Sequence, residues 1–213
     1  MKCDKNTMRL YAVTDRAWTG KQSLYEQVES ALKGGVTCVQ LREKGMDEDQ
    51  LVKEATAIAA LCRRYGVPFL VNDNVDVALR CGADGVHVGQ DDMAAAQVRQ
   101  RVGRDRIVGV SAHSVAQALE AVKNGADYLG VGAAFSTSTK RDANVLPRGV
   151  LHDICEAVDV PVVAIGGISR ANIMRLSGTG VDGVALVSAI FAAEDIEAEC
   201  RALRAMSEKM AGV

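Results

Sequence analysis

Three groups of residues in this 213-residue chain have the types and spacing for anion chemistry. Arg42-Glu43-Lys44 sets two cations on alternate positions, and Asn72-Asp73 and Asp91-Asp92 put carboxylates just beyond apolar runs. Residues 132–140 read GAAFSTSTK, a hydroxyl run closed by Lys140. Carboxylates are hard oxygen ligands. With no Cys beside them, and His only at His87 inside the preceding run, Asp73 and Asp92 suit Mg2+ that shares its shell with water and a phosphate oxygen. Arg42, Lys44 and Lys140 suit the phosphate itself. The same charges also read as ion pairs that neutralise one another, and the hydroxyl run reads either as a surface loop or as an anion cradle. Gly166-Gly167 and Ser188-Ala189, each after an apolar run, offer backbone N–H groups of the kind that face an anion at a short helix N-terminus.

Those residues need a scaffold, and the pattern around them supplies one. Short β-branched runs predict strands over 10–13, 38–41, 69–71, 86–88, 107–110, 128–131, 162–165 and 184–187. Between them lie amphipathic stretches such as 24–33, 49–65 and 115–123, with apolar residues three and four apart. Strand and helix alternating to the end imply parallel pairing, because parallel neighbours need a crossover. Gly34-Gly35-Val36, Gly82-Ala83-Asp84, Gly125-Ala126-Asp127 and Gly180-Val181-Asp182 repeat one helix-to-strand turn. In it, Gly ends the helix in the left-handed conformation and Asp bonds the turn backbone. Eight such units in 213 residues predict a single-domain (β/α)8 TIM barrel over 1–213, with 1–8 as a short N-terminal extension, rather than a doubly wound sheet. The sixth unit, 141–160, is the least regular because of Pro147 and Gly149.

Chemistry in such barrels collects where strands end. Nearly every predicted strand there runs into a polar or glycine-rich group, including Thr14-Asp15 and Ser111-Ala112-His113. Helix N-capping is the competing reading for Ser111, Ser169 and Asp49. It does not account for cations and carboxylates alternating around one rim.

A hydrophobic fraction of 48%, 24% charged residues and a net charge of -2 describe an ordinary globular chain, with no basic footprint for nucleic acid or an anionic membrane. An anionic partner is therefore small and locally recognised. The six cysteines never approach within four residues of one another, which removes zinc-ribbon and redox-pair spacing and predicts a reducing compartment. No apolar signal segment opens the chain, and no run reaches the roughly 18 apolar residues of a membrane helix. A cytoplasmic protein is expected.

From residue 10 to about 190 the chain resembles the thiamine phosphate synthase family. The resemblance rests on Leu10-Tyr11-Ala12-Val13-Thr14-Asp15, Gln40-Leu41-Arg42-Glu43-Lys44, Asn72-Asp73, Gly85-Val86-His87-Val88-Gly89-Gln90-Asp91-Asp92, Gly109-Val110-Ser111-Ala112-His113, Thr137-Ser138-Thr139-Lys140, Ile165-Gly166-Gly167-Ile168 and Ser188-Ala189-Ile190. It implies a (β/α)8 barrel that joins 4-amino-2-methyl-5-(diphosphooxymethyl)pyrimidine to a thiazole phosphate, giving thiamine phosphate and pyrophosphate by Mg2+-assisted dissociative displacement. By the same resemblance Asp73 and Asp92 hold Mg2+, Asp92 being chosen over Asp91 from the motif. Arg42, Lys44, Asn72 and Lys140 contact the diphosphate or pyrimidine, with Gln40 alongside. Ser111 lies beside the pyrophosphate, while Thr137, Thr139 and backbone groups at Gly167, Val187 and Ser188 take the thiazole phosphate. Arg42, Lys44, Lys140 and Ser111 are then the catalytic set.

The family usually carries Pro after the glycine at 132 and before the first Thr of that loop, where this chain has Ala133 and Ser136. That predicts a looser unbound loop, by about 0.4–1 kcal/mol for each proline. Two other functions fit parts of the pattern: a thiazole phosphate tautomerase with His113 as its acid–base group, and a non-catalytic barrel binding a phosphorylated metabolite. A tautomerase has no use for Arg42, Lys44, Asp73 and Asp92 together. His87, His113 and His152 otherwise read as ordinary structural histidines, and a homo-oligomer is left open.

Overall fold

The computed structural model describes residues 3–20, 22–137, 145–147 and 149–213. Its strands are β1 (Leu10–Val13), β2 (Cys38–Leu41), β3 (Phe69–Asn72), β4 (Gly85–Val88), β5 (Ile107–Ala112), β6 (Tyr128–Gly132), β7 (Val162–Ile165) and β8 (Gly183–Leu186). All pair in parallel and in chain order, and β8 returns to β1 with Ala185 opposite Tyr11, which closes the barrel. Outside run α1 (Leu24–Lys33), α2 (Glu48–Arg64), α3 (Val75–Cys81), α4 (Ala95–Val102), α5 (Val115–Lys123), α6 (Val150–Ala157), α7 (Ser188–Phe191) and α8 (Ile196–Met210).

Alternation along each strand sorts the side chains into two cores. Outward residues such as Leu10, Val39, Val71, Val86, Val108 and Leu129 meet the helices, whose apolar stripes bury Val28, Ile58, Ile154 and Leu203. Full burial of a side chain of this size contributes roughly 1.5–3 kcal/mol. Inward residues Tyr11, Cys38, Leu70, Ile107, Tyr128 and Val163 fill the barrel with Met8, so the segment predicted as an extension places a plug in the interior core. Capping holds the helices in place. Ser23 and Glu26 form a reciprocal capping box at α1, Asp47 caps α2 and Ser114 caps α5.

The repeated turn works differently from the expectation that Asp bonds its own turn. Asp84, Asp127 and Asp182 each accept the N–H of the neighbouring strand's first residues, at Phe69 (2.9 Å), Val108 (2.8 Å) and Val162 (3.0 Å). Their own N–H groups return to the same residues' carbonyls, and Thr37 does likewise with Leu10. The four stitches join β1 to β2, β3 to β4, β5 to β6 and β7 to β8 at the end away from the loops.

The sixth crossover is a regular helix, and the seventh is the short one. Between β7 and β8 the described residues form a 3-10 segment, Ile173–Leu176, which packs on α8 and is followed by left-handed Gly178 and Gly180 (φ 78° and 89°).

Candidate active site

The strand ends open on a cavity of about 760 Å³. Gln40, Arg42, Lys44, Asn72, Asp73, Asp92, Ser111, Thr137, Gly167, Val187 and Ser188 all line it. Thr139 and Lys140 lie outside the described residues. The capping reading fails for Ser111 and Asp49, while Ser169 opens the turn before Ile173–Leu176 with no side-chain cap bond of its own among the described residues. Ser111 belongs to strand β5, Asp49 follows the true cap Asp47, and the Ser169 N–H is itself capped by Asn172 Oδ1 at 2.8 Å.

On the β3–β4 side two carboxylates meet. Asp73 leaves β3 with φ 62°, a left-handed turn in which its N–H donates to the His87 carbonyl at 2.8 Å. Asp92 Oδ2 accepts the Gly89 N–H at 2.7 Å, which closes a tight turn in the loop after β4. Burial, then a hydrogen bond to Asp92 and the charge of Asp92, raise the Asp73 carboxyl to about 6, opposed by Lys44 and Arg42. It is Asp92, rather than Asp91, that pairs with Asp73. Two like charges held this close are a demand for a cation. Among the described residues no third His, Cys, Asp or Glu joins them, so any metal they hold takes its other ligands from water and substrate.

Arg42 and Lys44 stand just past β2 on the same cavity wall. The Arg42 N–H donates to Thr14 Oγ at 3.0 Å, and Thr14 is fully buried. Glu43, between the two cations, pairs at 2.5 Å with Arg16, whose other arm reaches Glu54 on α2 at 2.5 Å. Among the described residues neither Arg42 nor Lys44 forms an ion pair with Asp73 or Asp92, while Lys140 lies outside those residues.

The β6–β8 side is built from backbone. Gly166 and Gly167 are both left-handed (φ 97° and 65°), and a Cβ on Gly167 would lie 2.2 Å from the Ser136 carbonyl oxygen. The sixth and seventh loops are zipped together by Ala134 N–H to Ile165 O (2.8 Å) and Phe135 N–H to Gly166 O (3.0 Å). The Gly132–Ala133 peptide is cis. Asn172 donates to the Gly167 carbonyl at 2.8 Å. Past β8 the chain turns at Val187 into α7, whose first N–H groups have no acceptor within the helix.

Between the two sides runs a polar chain that sequence reading missed. Gln40 Nε2 donates to Tyr11 Oη (2.7 Å), Tyr11 Oη meets Tyr128 Oη (2.8 Å), Tyr128 Oη meets His87 Nδ1 (2.8 Å), and His87 Nε2 meets Ser111 Oγ (3.0 Å). Burial pulls the His87 pKa down to about 4 and raises both tyrosines well above their ordinary value, so all three are neutral. The available signal was parity. Tyr11, Gln40, His87, Ser111 and Tyr128 are all inward positions of their strands. His113 also lines the cavity, its Nδ1 bonded to the Gly132 carbonyl at 2.7 Å, whereas His152 is exposed on α6.

A family model described as thiamine monophosphate synthase matches residues 10–190. The thiamine-phosphate synthase of Chloroflexus aurantiacus is 50% identical over 93% of this chain and 92% of its own. That of Clostridium acetobutylicum is 46% identical, with 92% of both chains covered. Among solved structures, thiamine phosphate pyrophosphorylase from Pyrococcus furiosus superposes with a TM-score of 0.90 at 40% identity, over 98% of this chain and 99% of that one. With a closed eight-stranded barrel and these matches, the chain belongs to the thiamine monophosphate synthase family.

Proposed function

We infer that the cavity condenses 4-amino-2-methyl-5-(diphosphooxymethyl)pyrimidine with a thiazole phosphate, releasing pyrophosphate and forming thiamine phosphate. One observation carries the assignment of roles. Paired carboxylates with Arg42 and Lys44 beside them line the same cavity as a left-handed double glycine and a helix N-terminus. A volume of about 760 Å³ is in the range for small-molecule sites and leaves room for two substrates side by side.

Asp73 and Asp92 would hold Mg2+, whose Lewis acidity bears on a diphosphate oxygen. The bond between the pyrimidine methylene carbon and the diphosphate oxygen breaks, and its electron pair leaves with pyrophosphate. Arg42, Lys44 and Lys140 stabilise that developing charge, each pair at about 4 Å being worth roughly 4 kcal/mol at an effective dielectric near 20. Gln40 and Asn72 hold the aminopyrimidine, over which the positive charge spreads, and Ser111 faces the leaving group. Thr137 and Thr139, with backbone groups at Gly167, Val187 and Ser188, fix the thiazole phosphate so that the ring nitrogen adds to the methylene carbon. Catalysis is therefore positional and electrostatic. Among the described residues no helix is long and apolar enough to cross a membrane. Six free cysteines support a reducing, cytoplasmic setting.

The test is pyrophosphate release on mixing the protein with both substrates, with and without Mg2+. Release is expected only with all three present, and Lys140→Ala is expected to lower turnover by roughly two orders of magnitude. Tight binding of the thiazole phosphate without release would replace the synthase reading with a tautomerase or a sensor.

A further inference from the structure

Polar side chains deep inside a barrel are costly unless each is satisfied, and apolar residues would fill the same volume without that requirement. Here the sequence gives up two side chains to make room for them. A Cβ on Gly109 would lie 2.2–2.3 Å from Tyr128 ring atoms, and one on Gly130 would lie 3.1 Å from His87 Cε1. Tyr11 packs edge-on to Tyr128, ring centroids 5.8 Å apart. Both glycines sit in strands, β5 and β6, where glycine is otherwise unfavourable. They are explained by the rings they admit.

The proton positions along the chain follow from one end. The Gln40 amide nitrogen can only donate, so Tyr11 Oη accepts from it. Among the described residues Tyr11 Oη has one other partner, Tyr128, so its single proton goes there. The Tyr128 proton then goes to His87 Nδ1, which must be bare. A neutral imidazole bare at Nδ1 carries its proton on Nε2, and donates it to Ser111 Oγ. The Ser111 hydroxyl proton, having no acceptor among the described residues, is left for the cavity that Ser111 lines.

We propose that this one-way chain, Gln40 to Tyr11 to Tyr128 to His87 to Ser111, aims the Ser111 hydroxyl as a donor at the departing pyrophosphate, and that Tyr11, Tyr128 and His87 are positioning residues for the reaction. The proposal rests on the reading that Ser111 lies beside the leaving group. A pyrophosphate oxygen can only accept, so a serine offering a lone pair there would repel it. Each bond in the chain polarises the next, and the terminal donor is strengthened in a site shielded from water. None of the three positioning residues needs to touch the reacting atoms.

Two measurements test it, one independent of activity. In 15N-histidine-labelled protein, with His87 assigned by the signal lost in His87→Asn, long-range proton–nitrogen spectra are expected to show the Nε2–H tautomer. Tyr128→Phe is expected to turn it into a mixture. An Nδ1–H tautomer in the wild type would mean that the chain runs the other way, and would overturn the proposal whatever the activity. In kinetics, Tyr128→Phe is expected to lower kcat roughly tenfold, one neutral hydrogen bond's worth, with KM for both substrates within about twofold. Tyr11→Phe, which keeps the ring and its packing, serves as the second variant and should behave alike. Ser111→Ala is expected to lose on the order of a hundredfold, and adding Tyr128→Phe to it should cost nothing further. Losses that multiply in the double variant would show the chain acting apart from Ser111 and sink the proposal. Absence of pyrophosphate release by the wild type would instead count against the synthase reading.

Discussion

The arc of the cavity mouth from β2 to β5 and the arc from β6 to β8 are each proposed to face an anion, but they are made of different things. The first uses side-chain charge: Arg42, Lys44, Asp73 and Asp92, with a carboxyl pushed up to about 6. The second uses covalent geometry: two left-handed glycines, zipped loop backbones and the start of α7. In the proposed reaction the difference matches what each substrate undergoes. The diphosphate leaves, so charge must build against it and be tunable, whereas the thiazole phosphate is retained in the product and needs only to be held. Charge responds to protonation and metal; backbone N–H groups do not, but they tolerate no added atoms.

The largest effect that would break this contrast is on the charged arc. Asp92→Asn keeps an acceptor for the Gly89 N–H and removes one negative charge from the pair. Half-saturation by Mg2+ in the pyrophosphate assay is expected to rise by up to about three powers of ten, while KM for the thiazole phosphate stays put. An unchanged metal titration would take Asp92 out of that role. On the backbone arc, Gly167→Ala drives a Cβ against the Ser136 carbonyl, 2.2 Å away, from a left-handed backbone. The expected loss is roughly a hundredfold in kcat/KM for the thiazole phosphate, with the Mg2+ titration intact. The reverse pattern, a weakened metal response with normal thiazole phosphate kinetics, would mean that the arcs are not separate.

Much of this architecture was legible because it repeats. Strand starts and ends follow from β-branched runs and Gly-Asp turns, and the rim residues follow from what stands just past each strand. What escaped reading depends on relations between strands. That Asp84 stitches β3 rather than its own turn is a matter of register, which one strand's residues do not encode. Tyr11, Tyr128 and His87 look like ordinary core until five inward positions from five strands are seen to touch. Glu43 reads as part of a charged motif, and only the fold shows Arg16 drawing it away from Arg42 and Lys44. The short seventh crossover was hidden because its apolar residues have helical spacing, while two glycines follow it.

The smallest effect tests whether the arcs differ in their response to pH. Asp73 titrates at about 6 in the folded protein against 3.8 for an ordinary aspartate, so between roughly pH 4 and 6 the folded state keeps a proton that the unfolded chain has lost. Stability from this group is therefore greatest below about pH 4 and falls as pH rises through 6, the opposite of a salt-bridged carboxylate. Asp73→Asn removes the titration, and asparagine is at home in the left-handed conformation that the position requires. Urea unfolding without metal is expected to show the variant gaining on the wild type between pH 4 and 6 and holding a constant lead above that. The lead should be only about 1 kcal/mol, because solvent reaching the half-exposed pair screens it. Saturating Mg2+ should close it in the wild type, since a cation between the carboxylates does what the proton did. Gly167→Ala should leave this pH-dependent gap untouched, because nothing it disturbs on the backbone arc titrates. A gap that vanished in that background would couple the two arcs through Asp73.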